Sequence, residues 1–225
     1  MGWWTDHVVP RLTDSALAAP EIGALRRVAC APLTGRLLEV GFGSGLNLPH
    51  LGPEVTGVDA VEPSDVGWAR SESRRRDFPV PVRRIGLDGQ EINAPDATYD
   101  SALVTFSLCT IDDPARALTQ IHRLLRPGGV LAFLEHGLSP EPGTARWQRR
   151  LDPLQRTLCG GCHLSRDIPG LLTGAGFEIH SLEERVLLPG PAFARPWAYG
   201  FVGQAVRAEP ARDPDRRRPP PPEGH

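Results

Sequence analysis

Residues 35–51, GRLLEVGFGSGLNLPHL, run from a short apolar strand through a glycine-rich turn into an apolar stretch that predicts the start of a helix. This order of elements is typical of a nucleotide site, because glycines let the main chain approach a ligand closely. The turn reads G-x-G-x-G at Gly41, Gly43 and Gly45, whereas the dinucleotide fingerprint requires a third small residue at position 46, which is Leu46. The turn therefore disfavours NAD, and a glycine-rich loop without a ligand remains the alternative.

Further apolar strands alternate with helical segments along the chain. The segments EVTGVDAVEPS (54–64), YDSALVTFSLCTI (99–111) and VLAFLEHG (130–137) read as strands. A helix is predicted within 112–129, capped by Asp112 or Asp113 and ended by Pro127-Gly128-Gly129. FEIHSLEERVLL (177–188) and WAYGFVGQAV (197–206) predict two late antiparallel strands. The alternation indicates an α/β fold with a mostly parallel sheet.

The composition is that of an ordinary globular chain, with 225 residues, 40% hydrophobic and 23% charged. One domain is expected, followed by a disordered Pro- and Arg-rich tail at 209–225. A formal net charge of −2 supplies no large basic field, so we expect no nucleic-acid partner. We see neither an export signal nor an apolar run of roughly 18 residues, which predicts a cytoplasmic protein with no membrane span and reduced cysteines.

The segment Cys159-Gly160-Gly161-Cys162-His163 has the spacing that attaches a c-type haem. The same spacing also fits half of a zinc site, a redox dithiol or a pocket wall without metal. Haem attachment is disfavoured because no export signal precedes it. A closed zinc site needs further ligands, and Cys30 and Cys109 stand far away in the sequence. We therefore expect a pocket wall and no metal, and a regulatory disulfide between Cys159 and Cys162 stays open.

Three segments together resemble the class I S-adenosylmethionine-dependent methyltransferases over about residues 20–207: the turn at 39–45, Glu62-Pro63-Ser64, and RLLRPGGVLAFLEHG at 123–137. The resemblance implies a Rossmann-like sandwich with a seven-stranded, mostly parallel sheet whose last strand is antiparallel. It also implies a single methyltransferase domain at 1–208 that uses S-adenosyl-L-methionine and releases S-adenosyl-L-homocysteine.

A narrower resemblance is carried by SLCTIDD (107–113), FLEHG (133–137), WQRRLDPLQRTLCGGCHLSRD (147–167) and RPWAYGF (195–201), in that order. These segments are similar to the methyltransferase-like alkyl-thiol S-methyltransferases. The resemblance implies a small thiol as the methyl acceptor, a helical cover at 138–167 over the substrate pocket, and an N-terminal helical flap at 1–30. Those relatives carry an apolar membrane-anchoring segment, whereas this chain has only a short Trp-containing one, so membrane association is not carried over.

The resemblance also implies roles at the cofactor. The glycine turn should lie against the methionine part, Glu62 should accept hydrogen bonds from the ribose hydroxyls, and Phe106 should face the reactive sulfonium. From the residues alone, Asp59 is the alternative to Glu62, and plain core packing is the alternative for Leu87 and Phe106. The full cofactor set is Glu39 as a brace of the turn, Gly41, Phe42, Gly43, Glu62, Pro63, Leu87 and Asp88 at the adenine, Phe106 and Ser107.

The acceptor side is less specified. His136, at the end of the fifth strand, and His163, in the cover, are the candidates for a catalytic group that favours thiolate, and each has a structural alternative. Trp4, His7 and Cys162 are the expected substrate-pocket residues. An oxygen, nitrogen or carbon acceptor on a quinone or secondary metabolite stays open, as does a non-catalytic binding domain. The sequence does not indicate an oligomeric state.

Overall fold

A computed structural model describes residues 17–187, 190 and 194–208. Within that part of the chain, seven strands form one sheet in the order β3-β2-β1-β4-β5-β7-β6. The strands are β1 Gly35–Val40, β2 Val55–Val61, β3 Val82–Gly86, β4 Tyr99–Thr105, β5 Leu125–His136, β6 Phe177–Val186 and β7 Tyr199–Arg207. The helices are α1 Pro20–Cys30, α2 Asp65–Arg70, α3 Glu72–Asp77, α4 Pro114–Leu124, α5 Pro142–Leu158, α6 Ile168–Gly174 and α7 Arg195–Ala198.

The strand directions confirm the predicted fold class. Strands β1, β2, β3, β4 and β5 pair in parallel, and β7 runs antiparallel to both of its neighbours, β5 and β6. This is the Rossmann-like arrangement with six strands in one direction and the last strand reversed.

Both faces of the sheet are covered, which explains the continuous apolar runs of its central strands. Alternate residues of β1 enter different cores: Leu38 joins the cluster that α4 and α6 cover, and Leu37 joins the cluster that α1 covers. The helix α1 lies inside the predicted N-terminal flap segment, and its Ile22 and Leu25 are buried in the second cluster. The described part of this segment is therefore packed on the sheet.

Two local predictions were wrong and one strand was missed. The apolar stretch after the glycine turn forms only a 3-10 turn, Leu48–His50, because Pro49 and Gly52-Pro53 interrupt a longer helix before β2. The helix α4 begins as predicted after Asp113, whose side chain accepts a hydrogen bond from the Arg116 N–H at 3.0 Å. It ends at Leu124, before the Pro-Gly-Gly segment, which lies within β5. The edge strand β3 carries Arg83 and Arg84 and has no clear apolar alternation.

Some predictions fall outside the described residues. Trp4 and His7, most of the flap segment before α1, and the tail at 209–225 all lie there. Among the helices that the structure does describe, none has the length and apolar character needed to cross a membrane.

Candidate active site

The parallel strands end at one edge of the sheet, where a cavity of ≈730 Å³ opens. Strand order changes direction at β1, which lies between β2 and β4, and ligands of open α/β sheets bind in the crevice at such a point. Nine of the ten predicted cofactor residues line this cavity. They are Gly41, Phe42, Gly43, Glu62, Pro63, Leu87, Asp88, Phe106 and Ser107.

The glycine turn after β1 requires glycine at its first position. Gly41 has a φ of 81°, and a Cβ atom there would lie 1.8 Å from the hydroxyl oxygen of Ser107. Gly43 also has a positive φ, 57°, but a Cβ there would meet nothing within 4 Å. The main chain therefore has no side chains at Gly41 and Gly43, so a ligand in the cavity can approach the backbone closely.

Glu62 follows β2 and is 5% exposed. Its Oε2 accepts a hydrogen bond from the Gly43 N–H at 2.6 Å, and its Oε1 accepts one from the Ser64 N–H at 2.7 Å. The carboxylate therefore ties the glycine turn to the start of α2. Each carboxylate oxygen can accept a further hydrogen bond, so Glu62 can also bind hydroxyl groups in the cavity.

Asp59, the alternative acid, is engaged elsewhere. Its Oδ2 accepts hydrogen bonds from the Arg36 guanidinium at 2.5 Å and from the Tyr99 hydroxyl at 3.0 Å. Asp59 is not among the described residues that line the cavity. These contacts give Asp59 a structural role within the sheet.

A buried network of hydrogen-bonded side chains lies next to the glycine turn. Of its residues, only Glu39 was predicted from the sequence. Glu39 does not line the cavity, but its Oε1 accepts a hydrogen bond from Asn47 at 2.7 Å. Arg26 of α1 donates to the Asn47 side-chain oxygen at 2.6 Å and to the Thr105 hydroxyl at 3.2 Å. Burial raises the pKa of Glu39 to about 7, although the Asn47 hydrogen bond opposes that rise.

The cavity is also lined by the residues that were predicted at the adenine and the sulfonium. Leu87 is 59% exposed, so the core-packing alternative does not hold for it. The Oδ1 of Asp88 accepts hydrogen bonds from the Gln90 N–H at 2.8 Å and from the Gln90 side-chain amide at 3.0 Å. Phe106 has a φ of 53°, unusual for a residue with a side chain, and it packs partly on the α1-side core. Its backbone strain coincides with the cavity wall, as strain often does at functional sites.

A buried carboxylate holds the loop that follows Phe106. The Glu135 Oε1 accepts hydrogen bonds from the Ser107 N–H at 2.7 Å and the Leu108 N–H at 3.0 Å. Burial raises the pKa of Glu135 to about 7. The sequence offered no signal for this contact beyond an acid inside an apolar strand.

The two histidines predicted as catalytic do not face the cavity. Neither His136, His163 nor Cys162 is among the described residues that line it. The His136 Nε2 lies 2.8 Å from the Cys162 Sγ, and the His163 Nδ1 lies 3.1 Å from a carboxylate oxygen of Asp152. Each ring is turned toward a partner in the cover, which corrects the expectation that the end of β5 opens onto the reacting methyl group.

The structure also places Cys109 next to Cys162. Its Sγ lies 3.5 Å from the Cys162 Sγ, although the two residues are 53 positions apart. The separation in sequence had suggested that Cys109 was remote from the CGGCH segment. Nearer the cavity, Cys159 and Gly160 of that segment line the wall, as the pocket-wall interpretation expected.

The sheet order, the bare glycine turn after β1 and the acid after β2 define a class I S-adenosylmethionine-dependent methyltransferase. The residues fit this cofactor: Gly41 and Gly43 leave room along the main chain, and Glu62 offers an anionic acceptor for hydroxyl groups. The chain matches the family described as "Methyltransferase domain" over residues 16–182, and it belongs to that family.

Similar proteins include enzymes with different acceptors. Thiol S-methyltransferase TMT1B of Rattus norvegicus is 30% identical over 76% of this chain and 70% of its own length. Phosphatidylethanolamine N-methyltransferase of Cereibacter sphaeroides is 27% identical over 71% of this chain and 77% of its own. A solved SAM-dependent methyltransferase of Methanosarcina mazei has the same fold, with a TM-score of 0.59, 19% identity, and coverage of 78% of this chain and 93% of its own.

Proposed function

We propose that this enzyme transfers the methyl group of S-adenosylmethionine to the thiol of a small molecule. The observation that carries the proposal is the similarity to the thiol S-methyltransferase TMT1B, which extends over 76% of this chain. The segments at 107–113, 133–137 and 147–167 resemble the alkyl-thiol enzymes, and the first and the last of them contribute residues to the cavity wall.

In this proposal the cofactor lies along the edge where β1, β2 and β4 end. The turn at Gly41–Gly43 would hold its methionine part, Glu62 its ribose, and Leu87 with Asp88 its adenine. Phe106 and Ser107 would lie beside the sulfonium. S-adenosylmethionine held by these residues would supply an electrophilic methyl group for a thiolate, with S-adenosylhomocysteine as the neutral leaving group.

The protein's main contribution to such a displacement is alignment, which supplies about 7–11 kcal/mol in well-oriented systems. Little acid–base machinery is required, because a free thiol with a pKa of about 8.5 is already a few per cent thiolate at neutral pH. The residues that fix the Phe106 loop, Glu135 above all, therefore serve the reaction by holding the wall in place.

A buried cation in the cavity wall favours a thiolate that binds beside it. Arg26 lines the cavity, is 4% exposed, and its guanidinium lies 5.7 Å from the centre of the Phe106 ring. A fixed positive charge beside the reacting groups stabilises a thiolate and disfavours an ammonium ion. Arg26 takes the role predicted for His136 and His163, which are not among the described residues that line the cavity.

The acceptor is tested by a methyl-transfer screen. Purified enzyme and S-adenosylmethionine are incubated separately with an alkyl thiol, a phenol or a primary amine at the same concentration. The methylated products are identified by mass spectrometry. We expect methylation of the thiol. Turnover of the phenol or the amine without turnover of the thiol would contradict the thiol assignment and leave the methyltransferase class intact.

The charge argument has its own test in the pair Arg26→Gln and Arg27→Gln, since Arg27 is the exposed neighbour of Arg26 on the same helix. The kcat for the thiol should rise with pH to a plateau that marks the pKa of the bound thiol. Removing the nearby cation should raise that pKa by about 1 unit in Arg26→Gln, and Arg27→Gln should keep the parent profile. A lower kcat with an unshifted profile would mean that Arg26 acts only by supporting Asn47 and Thr105.

We further propose that residues 1–208 act as one methyltransferase domain in the cytoplasm. The segment 138–167 would be the cover of the acceptor pocket. Support comes from Cys159 and Gly160, which lie in the cavity wall at the end of α5.

A further inference from the structure

Three side chains from distant parts of the chain meet beneath the cavity wall. They are Cys109 on the loop after β4, His136 at the end of β5, and Cys162 in the turn after α5. The two Sγ atoms lie 3.5 Å apart, and the His136 Nε2 lies 2.8 Å from the Cys162 Sγ. One ligand atom from each residue lies within 4.8 Å of the other two.

We propose that Cys109, His136 and Cys162 bind a zinc ion. Two thiolates and one imidazole are the soft and intermediate donors that select Zn²⁺ among the common divalent ions. A tetrahedral zinc ion with Zn–S distances of about 2.3 Å and a Zn–N distance of about 2.0 Å places its ligand atoms about 3.5–3.8 Å apart. The observed pairs therefore need to move by about 1 Å or less to reach that geometry.

The surroundings hold the three ligands in place independently of the cofactor. The His163 N–H donates to the Cys109 carbonyl at 2.8 Å, which joins the turn after α5 to the loop after β4. The guanidinium of Arg166 donates to the Leu108 and Ile111 carbonyls on both sides of Cys109. Two thiolates neutralise the charge of Zn²⁺, and the positive charge of Arg166 interacts favourably with the sulfur atoms of Cys109 and Cys162.

The histidine is poorly satisfied without a metal. His136 is 9% exposed, and the ring atom that approaches the Cys162 sulfur is Nε2. Among the described residues, the hydrogen-bond partner of Nε2 is the Cys162 thiol, which is a weak hydrogen-bonding group. A zinc ion bound to Nε2 and to both sulfur atoms would replace these weak contacts by three coordination bonds.

The site has three protein ligands, so its fourth position is open to a small exchangeable ligand, as in zinc sites that take part in chemistry. Cys159 is not one of the three, although it completes the Cys-x-x-Cys spacing with Cys162. The three ligands belong to the chain itself, so zinc binding does not require the thiol acceptor or the cofactor.

The test is metal analysis of the full chain, purified without chelator and incubated with zinc before gel filtration. We expect about one zinc per chain in the parent and a loss of at least about tenfold in Cys109→Ser, Cys162→Ser and His136→Ala. The matched controls are Cys30→Ser, which removes a buried cysteine of α1, and Cys159→Ser. Both controls should keep the parent's zinc content, and loss of zinc in Cys159→Ser would contradict the three-ligand assignment.

A second measurement covers variants that fold poorly. Zinc added to metal-free parent protein should raise its thermal unfolding midpoint, and Co²⁺ should give a thiolate-to-cobalt charge-transfer band that changes when ethanethiol is added. Parent protein that binds neither ion, or in which mass spectrometry finds a Cys109–Cys162 disulfide after zinc incubation, would overturn the proposal. Failure of thiol methylation alone would leave the zinc result unaffected, so the two proposals are separable.

Discussion

At the scale of single residues, the buried acid Glu39 makes stability depend on pH. Burial raises the pKa of Glu39 from 4.5 to about 7 in the folded protein. Between these values the folded chain keeps a proton that the unfolded chain releases, so the free energy of unfolding falls as pH rises from about 4.5 to about 7. The charged groups that act on Glu39 are Arg26, which lowers this pKa, and Glu62, which raises it.

We predict that Glu39→Gln reduces this pH dependence, and that Glu135, whose pKa burial also raises to about 7, carries part of the remainder. The side-chain oxygen of glutamine can still accept the hydrogen bond from Asn47, but glutamine does not ionise. The Glu39 Oε2, which it replaces, has no hydrogen-bond partner among the described residues. Chemical unfolding at several pH values between 5 and 8 measures the effect, with the exposed Glu178→Gln as the control. Equal slopes in the parent and in Glu39→Gln would show that Glu39 is ionised throughout this range.

Single residues also show the limit of sequence reasoning. Glu62 lines the cavity, and its position after a strand and before Pro63-Ser64 is a local pattern that the sequence shows; its ribose contact stays a prediction. Arg26 and Cys109 were missed because their partners lie in other elements: the Arg26 contact to Thr105 spans 79 positions. Contacts of that range depend on how elements pack, which no local spacing encodes.

At the scale of elements, the turn between β1 and β2 combines a requirement for glycine with room for a ligand. Gly41→Ala should strain the backbone and force Ser107 to move, because the new Cβ would lie 1.8 Å from the Ser107 hydroxyl. We expect a loss of about 1–3 kcal/mol in stability and a cofactor affinity too weak to measure at ordinary concentrations. Calorimetric titration with S-adenosylhomocysteine and thermal unfolding report the two effects.

The comparison with Gly43→Ala separates protein strain from ligand exclusion. Alanine at 43 meets no atom within 4 Å, so its stability should fall only by the modest cost of a positive φ, about 1 kcal/mol. Its methyl group would project into the cavity, and cofactor binding should still be weakened. Full cofactor affinity in Gly43→Ala would mean that the ligand does not approach this part of the turn.

The elements were predicted best where burial produces a strong pattern. Strands β1, β2, β4 and β5 were recognised from apolar runs, and the start of α4 from Asp113 and Pro114. The prediction of a helix after Gly45 was wrong because Pro49 and Gly52-Pro53 interrupt the segment before β2. Edge strand β3 was missed because it is only half covered and its arginines hide the apolar alternation.

At the scale of the whole molecule, the cofactor site is built from the ends of separate elements, so ligand binding should stabilise the whole fold. The cavity wall combines the turn after β1, the acid after β2, the loop after β4 and the end of α5. A ligand present at about 100 times its Kd stabilises the folded state by about 2.7 kcal/mol. For a chain of this size, that corresponds to a rise of roughly 5–11 °C in the unfolding midpoint with S-adenosylhomocysteine.

Two acid variants distinguish the ribose contact from structural support. Glu62→Gln removes the charge that would bind the hydroxyl groups, so the rise in midpoint caused by S-adenosylhomocysteine should shrink by about half or more, since hydrogen bonds to charged groups contribute about 1.5–3 kcal/mol. Asp59→Asn weakens the contacts to Arg36 and Tyr99, so it should lower the midpoint of the free protein and keep the full ligand-induced rise. Thermal unfolding of both variants, with and without the ligand, gives the two quantities directly. The reverse pattern, a full rise in Glu62→Gln and a lost rise in Asp59→Asn, would move the ribose contact to Asp59, although Asp59 lies outside the cavity wall and would have to leave Arg36 and Tyr99 to reach a ligand.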